Sequence, residues 1–526
     1  MSTDTRPQVG RHRRDVGSTP SGEQPTDKLD SRVLLVAGVV VLGAIMSILD
    51  ITVVSVAQPT FQRVFAASPA QTAWTMTGYT LALAAVIPLT GWAADRFGTK
   101  RLYMLAVLLF AGGSALCAAA NSIEMLTAFR VLQGLGGGML MPLGMTIMTR
   151  AAGPERIGRV MAVLGVPMLL GPIFGPILGG WLIDIASWHW IFLINLPIGV
   201  VALVYAALVL DADNPTPSES FDFVGMLLLS PGLALFLFGV SSIPEKGTVW
   251  ASRVLVTAVI GLVLVTLFVL RSLFRAPEHP LMDLQLFRNR ALTVAVLAMS
   301  LFAIAFFGAS LLFPSYFLQV RGESTLDAGL LLAPQGFGAM LTMPVAGILT
   351  DKIGPGKIVL TGIATIMVGM GMFTQVGVDT SYGYLLAALF IMGLGMGGTM
   401  MPIMTSALQT LRDAEIARGS TLMNITQQVA ASIGTALFSV LLTNGFNSSA
   451  AVGQLRAALE SSQGLRSLTD PRIVPTALSD MAHSFAGVFV VATVLVAGCL
   501  VPALYLPRRK PAATMPGDSS TPLVTH

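Results

Sequence analysis

The sequence predicts an all-α membrane protein made of two six-helix bundles with two further helices inserted between them, fourteen spans in all. Three observations carry this expectation: too little charge for a soluble chain, apolar runs of membrane length along the whole chain, and a motif pair that recurs in the second half. Of 526 residues, 54% are hydrophobic and only 11% charged, against about 25% charged in soluble domains. The mean hydropathy is +0.76. A chain of this size lacks the charges to coat a water-soluble surface, and its apolar content excludes disorder. Runs of 18 or more apolar residues are long enough to cross ~30 Å of hydrocarbon at ~1.5 Å per residue.

The spans are read as apolar runs bounded by charge or turn residues. Residues 1–32 are polar and basic and read as a disordered arm. The run from Val33 is too long for a signal peptide and lacks a small-residue cleavage site, so it reads as a retained first span. The first six spans lie near 33–57, 72–93, 101–120, 124–149, 157–183 and 189–210. Two follow near 222–242 and 252–272, and six more near 291–317, 328–350, 357–378, 382–407, 418–444 and 484–505. The implied units are 33–210, 211–272 and 273–507, with a cytoplasmic tail at 508–526.

Charge placement orients the chain. With the N-terminus inside, inner segments hold 23 Lys and Arg and outer segments 7, the bias expected of cytoplasmic loops. One inner loop, 211–221, runs against it, with Asp211, Asp213 and Glu219 and no base. The net charge of +4 gives no support for nucleic-acid binding, and Cys117 and Cys499, each inside an apolar run, suggest neither a metal site nor a disulfide.

The repeat is local and specific. Gly91-Trp-Ala-Ala-Asp95-Arg96-Phe-Gly98-Thr-Lys100-Arg101 follows span 2, and Gly347-Ile-Leu-Thr-Asp351-Lys352-Ile-Gly354 follows span 10, 256 residues later. Span 4 carries Gly134-Leu-Gly136-Gly-Gly138 before Pro142, and span 12 carries Gly393-Leu-Gly395-Met-Gly397 before Pro402. Helix packing on small residues explains the glycines. It does not explain a charged loop at the same ordinal position, which implies duplicated halves.

At these residues the chain resembles a known family. The loop from Gly91 to Arg101 is similar to the signature of the major facilitator superfamily, with Thr99 where Arg is usual. Leu49-Asp50-Ile-Thr52-Val-Val-Ser55-Val-Ala57-Gln58-Pro59 is similar to the first span of its fourteen-span drug:proton antiporters, the EmrB/QacA type. Arg130-Val-Leu-Gln133-Gly134 resembles the span-4 motif, and Gly171, Gly175, Pro176, Gly179 and Gly180 the antiporter motif of span 5. Trp188-His189-Trp190-Ile-Phe192-Leu-Ile-Asn195-Leu-Pro197-Ile-Gly199 resembles a further family stretch, with His189 replacing Arg. The resemblance implies the major facilitator fold and a multi-pass exporter in a bacterial inner membrane that exchanges protons for lipophilic drug-like compounds. It also implies that Asp95, Arg96, Gly98, Lys100, Arg101 and Asp351 latch the cytoplasmic side, and that the span-5 glycines and proline seal the outer side.

Two formally charged residues fall well inside hydrocarbon, Asp50 and Arg130. Such groups are costly and functional by default. Counted from the outer span ends, they lie ~10 Å and ~9 Å deep, in one layer. They form either a static ion pair or a proton site, Asp50, tuned by Arg130, whose pKa would respond to burial and to the cation beside it, or else they lie on separate helix faces. Thr52, Tyr79, Gln133, Asn195, Tyr316, Asn424 and Gln428 are the polar candidates for lining a cavity. Asn424, Gln427 and Gln428 share a helix face by their spacing. With 27 Met and 26 Phe, adaptable packing suits varied apolar ligands, and one intramembrane acid favours neutral or monocationic ones. The partners expected are thus a lipophilic substrate, protons and membrane lipid, with no cofactor. An exporter of one endogenous product, such as a lipid, siderophore or antibiotic, is the alternative; a symporter is disfavoured by the span-5 glycines. Neither H-E-x-x-H, G-x-S-x-G nor a P-loop occurs, so neither an enzyme nor ATP-driven transport by this chain is expected.

Overall fold

The computed structural model describes residues 30–153, 156–213, 221–243, 250–274, 281–412, 415–460 and 470–508. Most of the expected arm and tail lies outside them. Helix covers every expected span: α1 (Ser31–Val64), α2 (Pro69–Phe97), α3 (Thr99–Ala118), α4 (Ile123–Ala152) and α5 (Ile157–Ile185). They continue as α6 (Trp190–Val209), α7 (Phe223–Ser241), α8 (Ser252–Phe274), α9 (Arg290–Gln319) and α10 (Asp327–Ile353). The last four are α11 (Pro355–Phe373), α12 (Tyr382–Leu408), α13 (Ile416–Asn447) and α14 (Ile473–Ala503). Helices suit this composition because hydrocarbon offers no partner for backbone groups, so each span must satisfy its own. Starts follow local chemistry. Ser68 and Gln71 form a capping box at α2, and Ser122, Asp222, Asn289 and Ser381 cap α4, α7, α9 and α12, each such cap being worth about 1 kcal/mol.

One stretch departs from the hydropathy reading. The last helix begins at Ile473, eleven residues before the expected span, and a short helix, Ala450–Glu460, precedes it. Both extensions carry polar groups, and Ser449 donates to Asp480 at 2.6 Å. Hydropathy marks only the part of a helix that lies in lipid.

The halves repeat their packing. α1 packs on α5, α2 on α4, α3 on α4, and both α1 and α3 on α6; α9 packs on α13, α10 on α12, α11 on α12, and both α9 and α11 on α14. The halves meet along α2–α13, α4–α13, α5–α10 and α5–α12. The face where Asp30 lies is called the near face here, and its opposite the far face. At the near face the repeated motif makes the same joint twice: Gly98 (φ +94°) separates α2 from α3, and Gly354 (φ +88°) separates α10 from α11. Residues with a side chain avoid this region, so glycine is required at both joints.

Candidate functional site

α1 and α4 bring Asp50 and Arg130 together, as their common depth predicts. Asp50 Oδ2 lies 2.5 Å from Arg130 Nη1, and both side chains are fully buried. A buried charge needs its other lone pairs and protons satisfied, and four helices supply the groups. Gln133 Nε2 donates to Asp50 Oδ1 at 2.8 Å and to Ser114 Oγ at 2.7 Å. Gln133 Oε1 accepts from Arg130 Nη1 at 2.7 Å. Asn195 on α6 donates to Ser114 at 2.9 Å and, more weakly, to Asp50 at 3.4 Å. Arg130 Nε donates to the Thr75 carbonyl of α2 at 3.2 Å. The Tyr79 ring lies 4.1 Å beneath the guanidinium carbon, a contact worth about 2 kcal/mol when desolvated. Arg130 Nη2 is buried with no hydrogen-bond partner among the described residues.

Three of the residues expected to line a cavity lie at this pair. Tyr79, Gln133 and Asn195 are buried and face the ion pair rather than an open space, because its donors and acceptors must be met inside hydrocarbon. Thr52 bonds back to the Leu49 carbonyl at 2.9 Å and lies against Gly175. Tyr316 is buried beside Phe317 and Phe485 and donates to the Gly377 carbonyl at 2.7 Å. Asn424 lies where the halves meet, bonded to the Ser420 carbonyl at 2.8 Å and 3.2 Å from Met145 Sδ. Gln428 is half-buried, and its side chain makes no hydrogen bond among the described residues. Ser114, which joins Gln133 to Asn195, was missed. Its signal was a hydroxyl in the otherwise apolar run of α3, common enough in membrane helices to pass unnoticed.

Two carboxylates of the repeated motif bind across the halves at the near face. Asp95, ending α2, lies 3.5 Å from Arg418 Nε of α13 and 3.6 Å from Arg150 Nη2 of α4. Asp351, ending α10, accepts from the backbone N–H of Gly158 at 2.8 Å and of Arg159 at 3.2 Å. The Arg159 guanidinium adds an ion pair at 3.5 Å. Asp351 thus caps the first turn of α5 from the other half, using amides that have no partner within their own helix. Close approach accompanies each of these contacts: a Cβ on Gly91 would lie 3.2 Å from Thr421 Oγ1, and one on Gly347 2.8 Å from the Gly158 carbonyl.

The basic members of the motif do something else. Lys100 Nζ donates to the carbonyls of Ala207 and Leu210 at 2.8 and 2.7 Å, capping the C-terminal end of α6. The backbone N–H groups of Lys100 and Arg101 donate to Asp213 at 2.8 and 3.0 Å. Lys100 therefore ties α3 to α6 within one half and does not cross between halves. Arg96 is half-buried, and no ion pair of its side chain is found among the described residues. The acidic loop that ran against the charge bias is explained by the same contacts, since Asp213 caps α3 and Asp211 pairs with Arg32.

The α5 glycines form a ridge against α1. A Cβ on Gly171 would meet Ile48, one on Gly175 would meet Thr52, and one on Gly179 would lie 3.1 Å from Val53; Gly180 has nothing within 4 Å. The side chain of Pro176 lies outside the described residues. Cys117 and Cys499 are buried free thiols.

A duplicated pair of six-helix bundles joined across one face has the architecture of a membrane transporter, and its relatives give the family. Residues 40–435 match the Major Facilitator Superfamily, and the chain belongs to it. It is 52% identical over 509 residues to the multidrug resistance protein B homolog of Mycobacterium tuberculosis H37Rv, covering 94% of each chain. It is 31% identical over 409 residues to the multidrug export protein EmrB of Escherichia coli K12, covering 77% of this chain and 79% of that one. In fold it is similar to the human organic anion transporter MFSD10, with a TM-score of 0.57, 17% identity, and 90% of this chain and all of that one covered. The proton:xylose symporter XylE gives 0.53 at 14% identity, covering 89% of this chain and 96% of that one. The fold therefore has the major facilitator plan expected from the sequence.

Proposed function

We propose that this transporter is a proton-coupled multidrug exporter of lipophilic neutral or monocationic compounds, set in a bacterial inner membrane with both termini cytoplasmic. The near face is then the cytoplasmic one, in keeping with the Lys and Arg bias. The names of the relatives in Mycobacterium tuberculosis and Escherichia coli support export of drug-like compounds. The observation that carries the coupling is the Asp50–Arg130 pair, fully buried and held by neutral donors. Breaking such a pair by neutralising one partner costs about 3–5 kcal/mol, so protonating Asp50 reorganises what α1 and α4 hold between them. Asp50 is 2% exposed in this conformation. Loading and release of its proton therefore belong to conformations in which α1 and α4 part.

The near-face latches of Asp95 and Asp351 hold the cytoplasmic side shut, and the glycine ridge of α5 on α1 seals the outer half. Residues 33–210 and 273–507 act as the two moving bodies. Varied apolar substrates meet the surfaces between them, where Met145, Met343 and Met401 lie, with Gln428 and Asn424 as polar contacts. The test is proton release from purified protein in weakly buffered detergent on adding ethidium, a lipophilic monocation. The unaltered protein releases protons and Asp50→Asn does not. Equal release from both removes Asp50 from the coupling.

A further inference from the structure

α7 and α8 lie outside the duplicated plan, and their packing assigns them a task. Near the near face α2 and α13 touch directly: a Cβ on Gly91 would lie 3.3 Å from the Arg418 Cα. In the far half each of them rests on the inserted pair. Trp74 of α2 stacks on Phe238 of α7, with centroids 5.4 Å apart, and Arg253 of α8 lies over both rings. Ala436 and Val440 of α13 cluster with Val240 of α7, Ile243 just beyond its end, and Val254 of α8. Leu229, Leu233 and Leu237 form a buried stripe at four-residue spacing along α7. α8 packs tightly on α7, where a Cβ on Gly261 would meet the Phe236 backbone and one on Gly239 would lie 2.6 Å from Ala258 N. The other face of α8 is apolar and exposed, from Val256 through Leu273, as a lipid-facing helix should be.

We propose that α7 is a lateral barrier that shuts the cleft between α2 and α13 off from lipid in the far half, with α8 as its buttress. The barrier is fixed to α2 and slides on α13. Two ring contacts fasten it to α2, Trp74–Phe238 toward the far face and Trp92–Phe221, at 4.5 Å, toward the near face. Its contact with α13 is apolar and without hydrogen bonds among the described residues, a surface that can slip. The sliding part rests on the transport reading above; the shielding part does not.

The first experiment needs no substrate. In full-length protein in lipid vesicles, with Cys117 and Cys499 replaced by Ser, Ala436→Cys is exposed to a membrane-partitioned maleimide and to a water-soluble one. The barrier protects the thiol from both. Adding Leu237→Ala and Val240→Ala raises the rate with the membrane reagent at least tenfold while the water-soluble reagent stays slow. Fast membrane-reagent labelling with the barrier intact, or no rise on weakening it, overturns the proposal. The second experiment keeps α7 whole. A short reducible bismaleimide joins either Trp74→Cys to Phe238→Cys or Val240→Cys to Ala436→Cys, with dye export measured before and after reduction. The first link leaves export unchanged and the second stops it until reduced; any other pattern overturns the sliding. Where export is absent even from the uncrosslinked parent, the transport reading fails and the labelling result still decides the shielding.

Discussion

The two halves of this transporter share their mechanics but not their chemistry. Each has a left-handed glycine joint, at Gly98 or Gly354, and an aspartate reaching across the near face, Asp95 or Asp351. Only the first half has a buried ion pair within its spans among the described residues. The interior of the second is aromatic instead: Phe313 lies 4.9 Å from Phe373 and 5.1 Å from Phe489, and Phe302 stacks on Phe306 at 5.4 Å. On the proposed reading a gate needs matching parts on both sides, which the repeated joint and aspartate supply. On the same proposed reading one coupling group is enough, and a second buried charge would add desolvation cost without need.

The largest effect that would break this contrast is on Asp50. Asp50→Asn takes pH-gradient-driven dye export in everted vesicles to background, whereas Phe489→Leu in the second half keeps it and costs about 1 kcal/mol of stability as a near-conservative change. Loss of coupling in both would mean that the chemistry is not confined to one half. Next comes Gly175→Val, whose side chain collides with Thr52. Overpacking of this kind costs about 1–3 kcal/mol, read as a lower melting temperature in detergent together with reduced export. Smaller again, and equal between halves, are Asp95→Asn and Asp351→Asn. Each weakens its latch by about 1–2 kcal/mol, a roughly five- to thirtyfold shift toward near-face opening. Labelling of Thr421→Cys by a water-soluble maleimide measures it, and clearly unequal shifts would show that the latches are not mechanical equivalents. The smallest effect is Gly180→Ala, which meets open space and changes stability by no more than about 0.5 kcal/mol.

Hydropathy was enough to read the spans, because a membrane helix announces itself by composition over some twenty residues. The joint glycines and both aspartates were legible as a repeat, and the shared depth of Asp50 and Arg130 followed from counting residues along two antiparallel helices. What surrounds that pair was not legible. That Gln133, Asn195 and Tyr79 turn inward to a charge, and Ser114 with them, depends on how α3, α4 and α6 are rotated about their axes, which near-uniform apolar helices do not encode in any periodicity. The tasks of Lys100 and Asp213 were hidden for a related reason. Both depend on the end of α6 lying beside the start of α3, a neighbour relation that no local pattern records.

The Asp351 latch has one more consequence. Its carboxylate holds free amides in the first turn of α5, so on the proposed gating, opening the near face releases that helix end. The backbone protons of Gly158 and Arg159 are then natural reporters of gate position. Their exchange with deuterated water should slow when the near side is shut and quicken each time it opens, so that a peptide-level mass measurement can follow the transport cycle without attaching any label to the protein.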